Sequence, residues 1–122
     1  MCQVPGIRFA AIINKNGRKI AGGINSKIIP LERDEQKLEM LFMEIALDLS
    51  MRKEFNDSLG KIQAIVSYRE KTNIITIPHH DNLLLLSSYT ELESHKVIQI
   101  AYQSLQHCEI MGIGTTTTIP EQ

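Results

Sequence analysis

The spacing of apolar residues in the middle of the chain predicts one long helix, Leu31 to about Phe55, that is apolar on two sides. Successive side chains on an α-helix are about 100° apart, so residues three or four positions apart share a side. One stripe contains Leu38, Leu41, Phe42, Ile45 and Leu49. The second stripe contains Met40, Met43, Leu47 and Met51. A helix that packs on a sheet needs only one apolar stripe, so the second stripe predicts contact with another element of the chain or with another protein. Methionine side chains suit such a contact, because they adapt to irregular surfaces.

Apolar segments before this helix predict a β-hairpin. Ile7–Asn14 and Arg18–Ile24 have the composition of two strands, and Asn16-Gly17 between them is typical of a type I′ turn. Gly22-Gly23 in the second strand predicts a bulge, a turn or a close approach of two backbones. Pro30 is expected at the entrance of the helix, where its missing N–H costs nothing.

Three more strands and a second helix are predicted after the long helix. The strands are expected at Lys61–Tyr68, Ile74–Ile77 and Leu83–Ser88. Pro78 is expected to end the middle one, and Thr90 with Glu93 matches a capping box that predicts the start of the last helix. The order β-β-α-β-β-β-α predicts an α+β fold, a five-stranded antiparallel sheet with helices packed on it.

The length of the chain favours one domain, which we expect over residues 1–108, followed by a flexible, threonine-rich tail over residues 109–122. The net charge of −1 argues against attraction of the whole molecule to nucleic acid or to an anionic membrane. Residues 1–30 nevertheless carry five basic side chains and no acidic one, while residues 31–60 carry eight acidic ones. This asymmetry can orient a partner or a second copy, or it can belong to solvated faces.

The cysteines and the lengths of the apolar segments indicate in which cellular compartment the protein is expected. Cys2 and Cys108 are too few for a disulfide framework, and neither belongs to a CxxC pair. No apolar run approaches the roughly 20 residues that span a bilayer. Met1–Ile7 lacks the basic and apolar segments of a signal peptide. We therefore expect a cytoplasmic protein with free thiols.

Candidate chemical sites are few. His79-His80-Asp81 and His107-Cys108 contain metal-binding residue types, but a structural zinc site needs four well-placed ligands. We interpret the first group as a polar turn between two strands. Ser87 and Ser88 follow a buried strand without a GxSxG motif, and no GxGxxG motif is present. We expect no enzyme activity, no cofactor and no metal site. A metal-dependent or thiol enzyme that uses His79, His80 or Cys108 is the alternative.

The order of elements resembles the roadblock/dynein-light-chain and longin families, which share a profilin-like core. The resemblance covers roughly Ile7–Gln106. Roadblock proteins usually carry an additional helix before the first strand, and Met1–Gly6 is too short for one. At the level of sequence, the chain resembles an uncharacterised family of small archaeal proteins in three segments: GIRFAAIINKNGRKIAGGI, LFMEIALDLSMRKEFNDSLG and ITIPHHDNLLLLSS.

The resemblance implies a function in association. Roadblock-like domains typically form homodimers or heterodimers and act as platforms for small GTPases or larger assemblies. Their central helices pack together, and the strand that follows can pair edge to edge. Carried over to this chain, the resemblance implies a partner interface at Met40, Met43, Leu47, Met51, Lys61, Gln63 and Ile65. The implied function is a non-enzymatic, homodimeric scaffold or regulatory platform whose further partner is a small GTPase or another signalling protein.

Two alternatives stay open at this point. The last helix or the tail of the same chain can cover the second apolar stripe, in which case the stripe is no interface. The chain can also be a PAS-like small-ligand sensor, since PAS domains place two strands first and three strands late around a helical middle. A single uninterrupted helix of about 25 residues argues against the sensor, whose ligand cavity replaces part of the core.

Overall fold

The structure, a computed structural model, describes residues 6–24 and 31–111. It contains five strands, β1 to β5: Ile7–Ile13, Lys19–Ile24, Ile65–Tyr68, Asn73–His79 and Asn82–Ser88. It contains three α-helices, α1 to α3: Glu35–Arg52, Asn56–Leu59 and Ser94–Met111. The strands form one antiparallel sheet in the order β2-β1-β5-β4-β3. The predicted α+β fold with a five-stranded antiparallel sheet is confirmed.

The sheet is covered on both faces, one by α1 and the other by α3. The middle strand, β5, shows this directly, because Leu83 to Leu86 are all buried. Alternate side chains of a strand point to opposite faces. Leu83 and Leu85 accordingly pack in the cluster that contains Phe42 of α1. Leu84 and Leu86 pack in the cluster that contains Val97 of α3.

The helix α1 lies on its face of the sheet through three buried side chains, Phe42, Ala46 and Leu49. The Phe42 ring stacks on the ring of Phe9 in β1, with centroids 5.7 Å apart. The remaining members of the predicted first stripe, Leu38, Leu41 and Ile45, are partly buried. The first stripe therefore faces the sheet as predicted.

The helix begins and ends differently from the prediction. Its N-cap is Asp34, whose carboxylate accepts hydrogen bonds from the backbone N–H groups of Gln36 and Lys37. A side chain that satisfies the first free N–H groups fixes where a helix starts, so α1 begins at Glu35 rather than at Leu31. Pro30 lies outside the described residues. After Arg52, a 3₁₀ turn at Lys53–Phe55 leads into α2, which ends at Gly60.

The hairpin between β1 and β2 is present, but its turn is not of type I′. That type needs positive φ at two central residues, and only Gly17 of the pair Asn16-Gly17 has it, at 84°. The Gly17 N–H donates to the Asn14 carbonyl, and the Asn14 N–H donates to the Arg18 carbonyl, each over 2.9 Å. The Asn14 side chain also accepts from the N–H groups of Asn16 and Arg18. These bonds stabilise a three-residue loop that ends in glycine.

Two predicted strands have different lengths in the structure. β3 contains four residues instead of eight, and Lys61–Ala64 precede it outside the sheet. β4 extends to His79 and contains Pro78, which was expected to end it. Proline fits there because β3 reaches β4 only as far as Thr76, so no partner on that side needs an N–H from Pro78.

The predicted capping box does not form at the last helix. The Thr90 hydroxyl donates to the Glu91 carboxylate over 2.8 Å, and α3 begins at Ser94. The Glu93 carbonyl accepts the first bonds of the helix, from Lys96 and Val97. α3 continues through Met111. Residues 112–122 lie outside the described residues, so the flexible tail stays a prediction.

At Gly22 there is no room for a side chain between β2 and the backbone of β1. Its φ is 88°, and a Cβ placed on it would lie 2.3 Å from the Ala10 carbonyl oxygen. A neighbouring irregularity, at which Ile12 pairs with Ala21 but Ile13 pairs with Lys19, leaves Ile20 as an extra residue. Of the three readings of Gly22-Gly23, close backbone approach is therefore correct at Gly22, and the bulge lies two residues before it.

These two glycines give a test of the β1–β2 pairing. We expect Gly22→Ala to lower the free energy of unfolding by about 2–3 kcal/mol or more, because it adds both backbone strain and a clash with β1. Gly23→Ala is the matched control, since its nearest neighbour would be the Lys19 ammonium at 3.8 Å, and its effect should stay within about 0.5 kcal/mol. Urea unfolding at one protein concentration measures both. Equal effects of the two substitutions would contradict this description.

Candidate association surface

The second apolar stripe of α1 is exposed. The exposed fractions of its side chains are 57% for Met40, 55% for Met43, 62% for Leu47 and 55% for Met51. Leu47 lies about 160° around the helix from Leu49, which is buried against the sheet. We call these four residues the outward stripe, because they point away from the sheet.

The last helix does not cover the outward stripe. α3 packs on the opposite face of the sheet, where Val97 and Ala101 are buried with residues of β4 and β5. The alternative that α3 covers the stripe is therefore wrong. The predicted tail, the other candidate cover within this chain, lies beyond the part of the chain that the structure describes.

The apolar surface extends beyond the four residues that the sequence indicated. Phe55 is 59% exposed and Leu59 is 80% exposed. They follow Met51 at intervals of four residues, so the surface continues from α1 through the 3₁₀ turn into α2. The sequence contained this signal. It was missed because the predicted stripe was followed only to Met51 and the predicted helix ended at about Phe55.

The two flanks of α1 are different. On one flank, the hairpin turn approaches so closely that a Cβ on Gly17 would lie 2.6 Å from the Met43 Cα. On the other flank, a crevice of about 120 Å³ separates α1 from β3, and Leu41, Asp48 and Ile65 contribute to its lining. The outward stripe thus borders a closed flank at the hairpin and an open flank toward the edge strand β3.

The remaining candidate interface residues lie near β3, but only Ile65 belongs to it. Since β3 is at the end of the sheet, one of its edges is unpaired among the described residues. Ile65 is partly buried in the cluster under α1, so only its backbone is available at that edge. Lys61 and Gln63 are exposed and precede the strand. The Gln63 carbonyl accepts a hydrogen bond from the Tyr102 hydroxyl, which ties this segment to α3.

A groove of about 1330 Å³ opens between the N-terminal half of α1 and the corner where β3 leads into β4. Apolar residues in its lining include Phe9, Leu31, Leu38, Met40, Leu41 and Ile74. Its basic residues are Arg8, Lys19, Arg33, Lys37, Arg69 and Lys71. Its acidic residues are Glu32, Glu35, Glu44 and Glu70. The groove therefore combines an apolar lining with a net positive charge.

The candidate chemical residues form no metal cluster in the described part of the chain. The ring of His79, at the end of β4, lies 4.3 Å from the ring of His80, in the turn that follows. No group of three or more His, Cys, Asp or Glu side chains comes together there or elsewhere among the side chains that the structure describes. Cys2 and the side chains of His107 and Cys108 are outside the description. Within the same ranges, no helix is long and apolar enough to cross a membrane.

Ser87 and Ser88 are the last two residues of β5. The Ser87 and Thr72 hydroxyls are hydrogen-bonded over 2.7 Å, and the Thr72 hydroxyl also donates to the Ser88 carbonyl. Ser88 is fully buried, and its hydroxyl has no hydrogen-bond partner among the described residues. A fully buried hydroxyl is out of reach of a substrate, so Ser88 is not a candidate nucleophile.

Solved structures with a similar fold include the following three. A roadblock/LC7 domain from Streptomyces avermitilis has a TM-score of 0.66 at 10% identity, with 89% of this chain and 88% of that chain covered. The gliding protein MglB from Thermus thermophilus has a TM-score of 0.65 at 17% identity, covering 80% and 71%. An MglB with a tetrameric arrangement has a TM-score of 0.66 at 16% identity, with the same coverage of 80% and 71%.

These similarities confirm the expected resemblance to roadblock domains at the level of fold. No curated protein matches the sequence. A protein-family model matches residues 1–109, and that family is described as a family of unknown function, DUF6659. The archaeal source stays a prediction. The chain therefore belongs to the family DUF6659 and has the fold of a roadblock/LC7 domain.

Proposed function

We propose that this chain is a non-enzymatic association module that forms a homodimer and serves as a regulatory platform in the cytoplasm. The observation that carries the proposal is the outward stripe, whose four side chains are each more than half exposed. Full burial of a methionine or leucine side chain contributes about 1.5–3 kcal/mol. A row of such side chains along one helix is typical of a surface that another protein covers.

The choice of a second copy as the first partner rests on two features. The edge of β3 is unpaired among the described residues and lies on the open flank of α1. The resemblance to roadblock domains implies that central helices and following strands meet across a dimer. One structure of similar fold, an MglB, also has a tetrameric arrangement. Lys61, Gln63 and Ile65 are then proposed at the strand end of the interface, together with the outward stripe on α1.

A small GTPase is the proposed further partner, since the roadblock resemblance implies this class. In the proposed dimer the outward stripes of the two copies cover each other, and the charged residues beside them stay at the margin of the interface. The hairpin beside this surface carries Lys15, Arg18 and Lys19, while α1 carries Glu39 and Glu44. Opposite charges at the margin of an apolar surface orient an incoming protein.

A charged residue in the outward stripe should break the dimer. We expect Leu47→Glu and Met43→Glu each to weaken self-association by about 100-fold or more, because a carboxylate on each copy is desolvated in the interface. Ile100→Glu is the matched control, as Ile100 is 38% exposed on α3, on the opposite face. Light scattering over a concentration range reports the mass, and circular dichroism reports the fold. If both stripe variants keep the mass of the unmodified chain, the interface lies elsewhere.

The GTPase proposal predicts binding that depends on the bound nucleotide. Small GTPases from the same organism, loaded with GDP or with a non-hydrolysable GTP analogue, are titrated with the chain by calorimetry. We expect at least one to bind about tenfold more tightly in one nucleotide state. Equal or undetectable binding in both states, across all the GTPases of that organism, would contradict a regulatory role toward this class.

The PAS-like sensor remains a second candidate, and the observation in its favour is the groove of about 1330 Å³. A ligand that binds only the folded state at a hundredfold excess over its dissociation constant stabilises it by about 2.7 kcal/mol. One compound from a metabolite panel should then raise the melting temperature by several degrees. A panel that produces no such shift would remove the support for the sensor.

A further inference from the structure

The groove and the crevice beside α1 form one continuous cleft, because four residues line both of them: Leu41, Ser67, Arg69 and Ile74. Along α1 the lining extends from Glu35 in the groove to Asp48 in the crevice. These two residues are 13 positions apart in the sequence, which is about 20 Å of helix. We call the whole space the α1 cleft. Its length exceeds that of a compact polar metabolite.

The cleft is present because the first turns of α1 do not pack closely on the sheet. Among the described residues, no side chain from Glu35 to Leu41 is buried, whereas Phe42 and Leu49 further along the helix are buried. Six apolar side chains in the lining of the cleft are accordingly only partly buried: Phe9, Leu38, Leu41, Ile45, Ile65 and Ile74. Burial of their remaining apolar surface by a ligand would be favourable.

The two ends of the α1 cleft have different chemistry. The groove is wide, and six basic and four acidic side chains line it. The crevice is narrow, about 120 Å³, and half of its eight lining residues are apolar. Its acidic residue, Asp48, is paired with Arg52 over 2.9 Å, which compensates the charge. The cleft therefore has a wide, net positive mouth and a narrow, largely apolar end.

Basic side chains stand on two sides of the mouth. Arg33 and Lys37 belong to the start of the helical segment, and Arg69 and Lys71 belong to the corner between β3 and β4. None of these four side chains forms an ion pair with a described residue. Guanidinium and ammonium groups bind carboxylates and phosphates through charge-assisted hydrogen bonds. The mouth is therefore suited to an anionic group.

We propose that the α1 cleft binds a single-chain anionic amphiphile, a molecule with one carboxylate or phosphate head group and an unbranched alkyl chain. The head group lies at the mouth, between Lys37 on one side and Arg69 and Lys71 on the other. The alkyl chain extends past Leu41 and Ile74 into the crevice. The proposal does not rest on the homodimer. It rests on the groove that supports the sensor candidate, and it names the class of ligand.

Both parts of the ligand are needed to use both ends of the cleft. A small anion contacts only the exposed basic side chains, whose attraction is weakened by salt. An uncharged alkyl compound reaches the crevice but leaves the basic side chains without a partner. Each further CH₂ group that enters the crevice should tighten binding by about two- to fourfold. Affinity should therefore depend on the charge and on the chain length together.

The ligand class is tested by calorimetry with the unmodified chain, at concentrations below micelle formation. The probes are decanoate and decyl phosphate, with butyrate, inorganic phosphate and decanol as comparisons. We expect one or both of the first two to bind about tenfold or more tightly than each comparison. The ratio between decanoate and decyl phosphate shows which head group the mouth prefers. Decanol that binds as tightly as both anionic probes would overturn the proposal.

The place of the head group is tested with two double variants that remove the same charge. Arg69→Ala/Lys71→Ala should weaken binding of the tighter anionic probe by about tenfold, because two charge-assisted contacts are lost. Lys15→Ala/Arg18→Ala, in the hairpin turn, is the matched control, since neither residue lines the cleft. It should change the affinity by less than about twofold. Equal losses in the two variants would place the head group outside the mouth and overturn the proposal.

The place of the alkyl chain is tested with one substitution at two positions of α1. Leu41→Glu puts a carboxylate between the mouth and the crevice and should weaken binding by about tenfold or more. Leu47→Glu changes the outward stripe and should leave the affinity within about twofold. Circular dichroism checks the fold of both variants. An equal loss in Leu47→Glu would mean that the probe binds the outward stripe. That result, or no binding of either anionic probe at millimolar concentration, would overturn the proposal and leave the homodimer to be judged by its mass.

Discussion

Only one side of α1 packs against the sheet. Phe42, Ala46 and Leu49 are buried against the sheet. The outward stripe, on the other side of the helix, is exposed to solvent in the single chain. α3 does not cover the outward stripe, because it packs on the opposite face of the same sheet. α1 is apolar on two sides, and each face of the sheet is covered by one helix. The second apolar side of α1 therefore stays exposed on the surface of the single chain. The proposed dimer and its platform role both depend on that arrangement.

The two flanks of α1 have different properties, and this difference determines on which side of the helix a second copy can pack. The hairpin closes one flank through the near contact of Gly17 with Met43. The other flank is open toward β3 and ends in the groove. Self-association is favoured on the open flank, where both an unpaired strand edge and a concave surface are available. A second copy on this side also covers the outward stripe.

Patterns of side-chain spacing predicted the sheet and the two-sided helix, because burial decides both. The four leucines of β5 and the stripe of α1 are examples. Boundaries depended on local hydrogen bonds that spacing does not reveal, such as the Asp34 cap and the bonds around Asn14. β3 is shorter than its alternating pattern, since it pairs only with Asn73 to Thr76 of β4 and Pro78 further along β4 has no N–H to donate to a longer strand. Which face each helix covers, and hence the groove, depends on chain crossings that the sequence pattern does not specify.

The central claim is that the outward stripe is an occupied interface between two copies. Sedimentation equilibrium of the unmodified full chain tests it most directly, since the mass obtained does not depend on molecular shape. Over a range of micromolar concentrations, we predict a mass twice that of the 13.8 kDa chain, with dissociation only at the lowest concentrations. A mass of one chain at every concentration would contradict the claim.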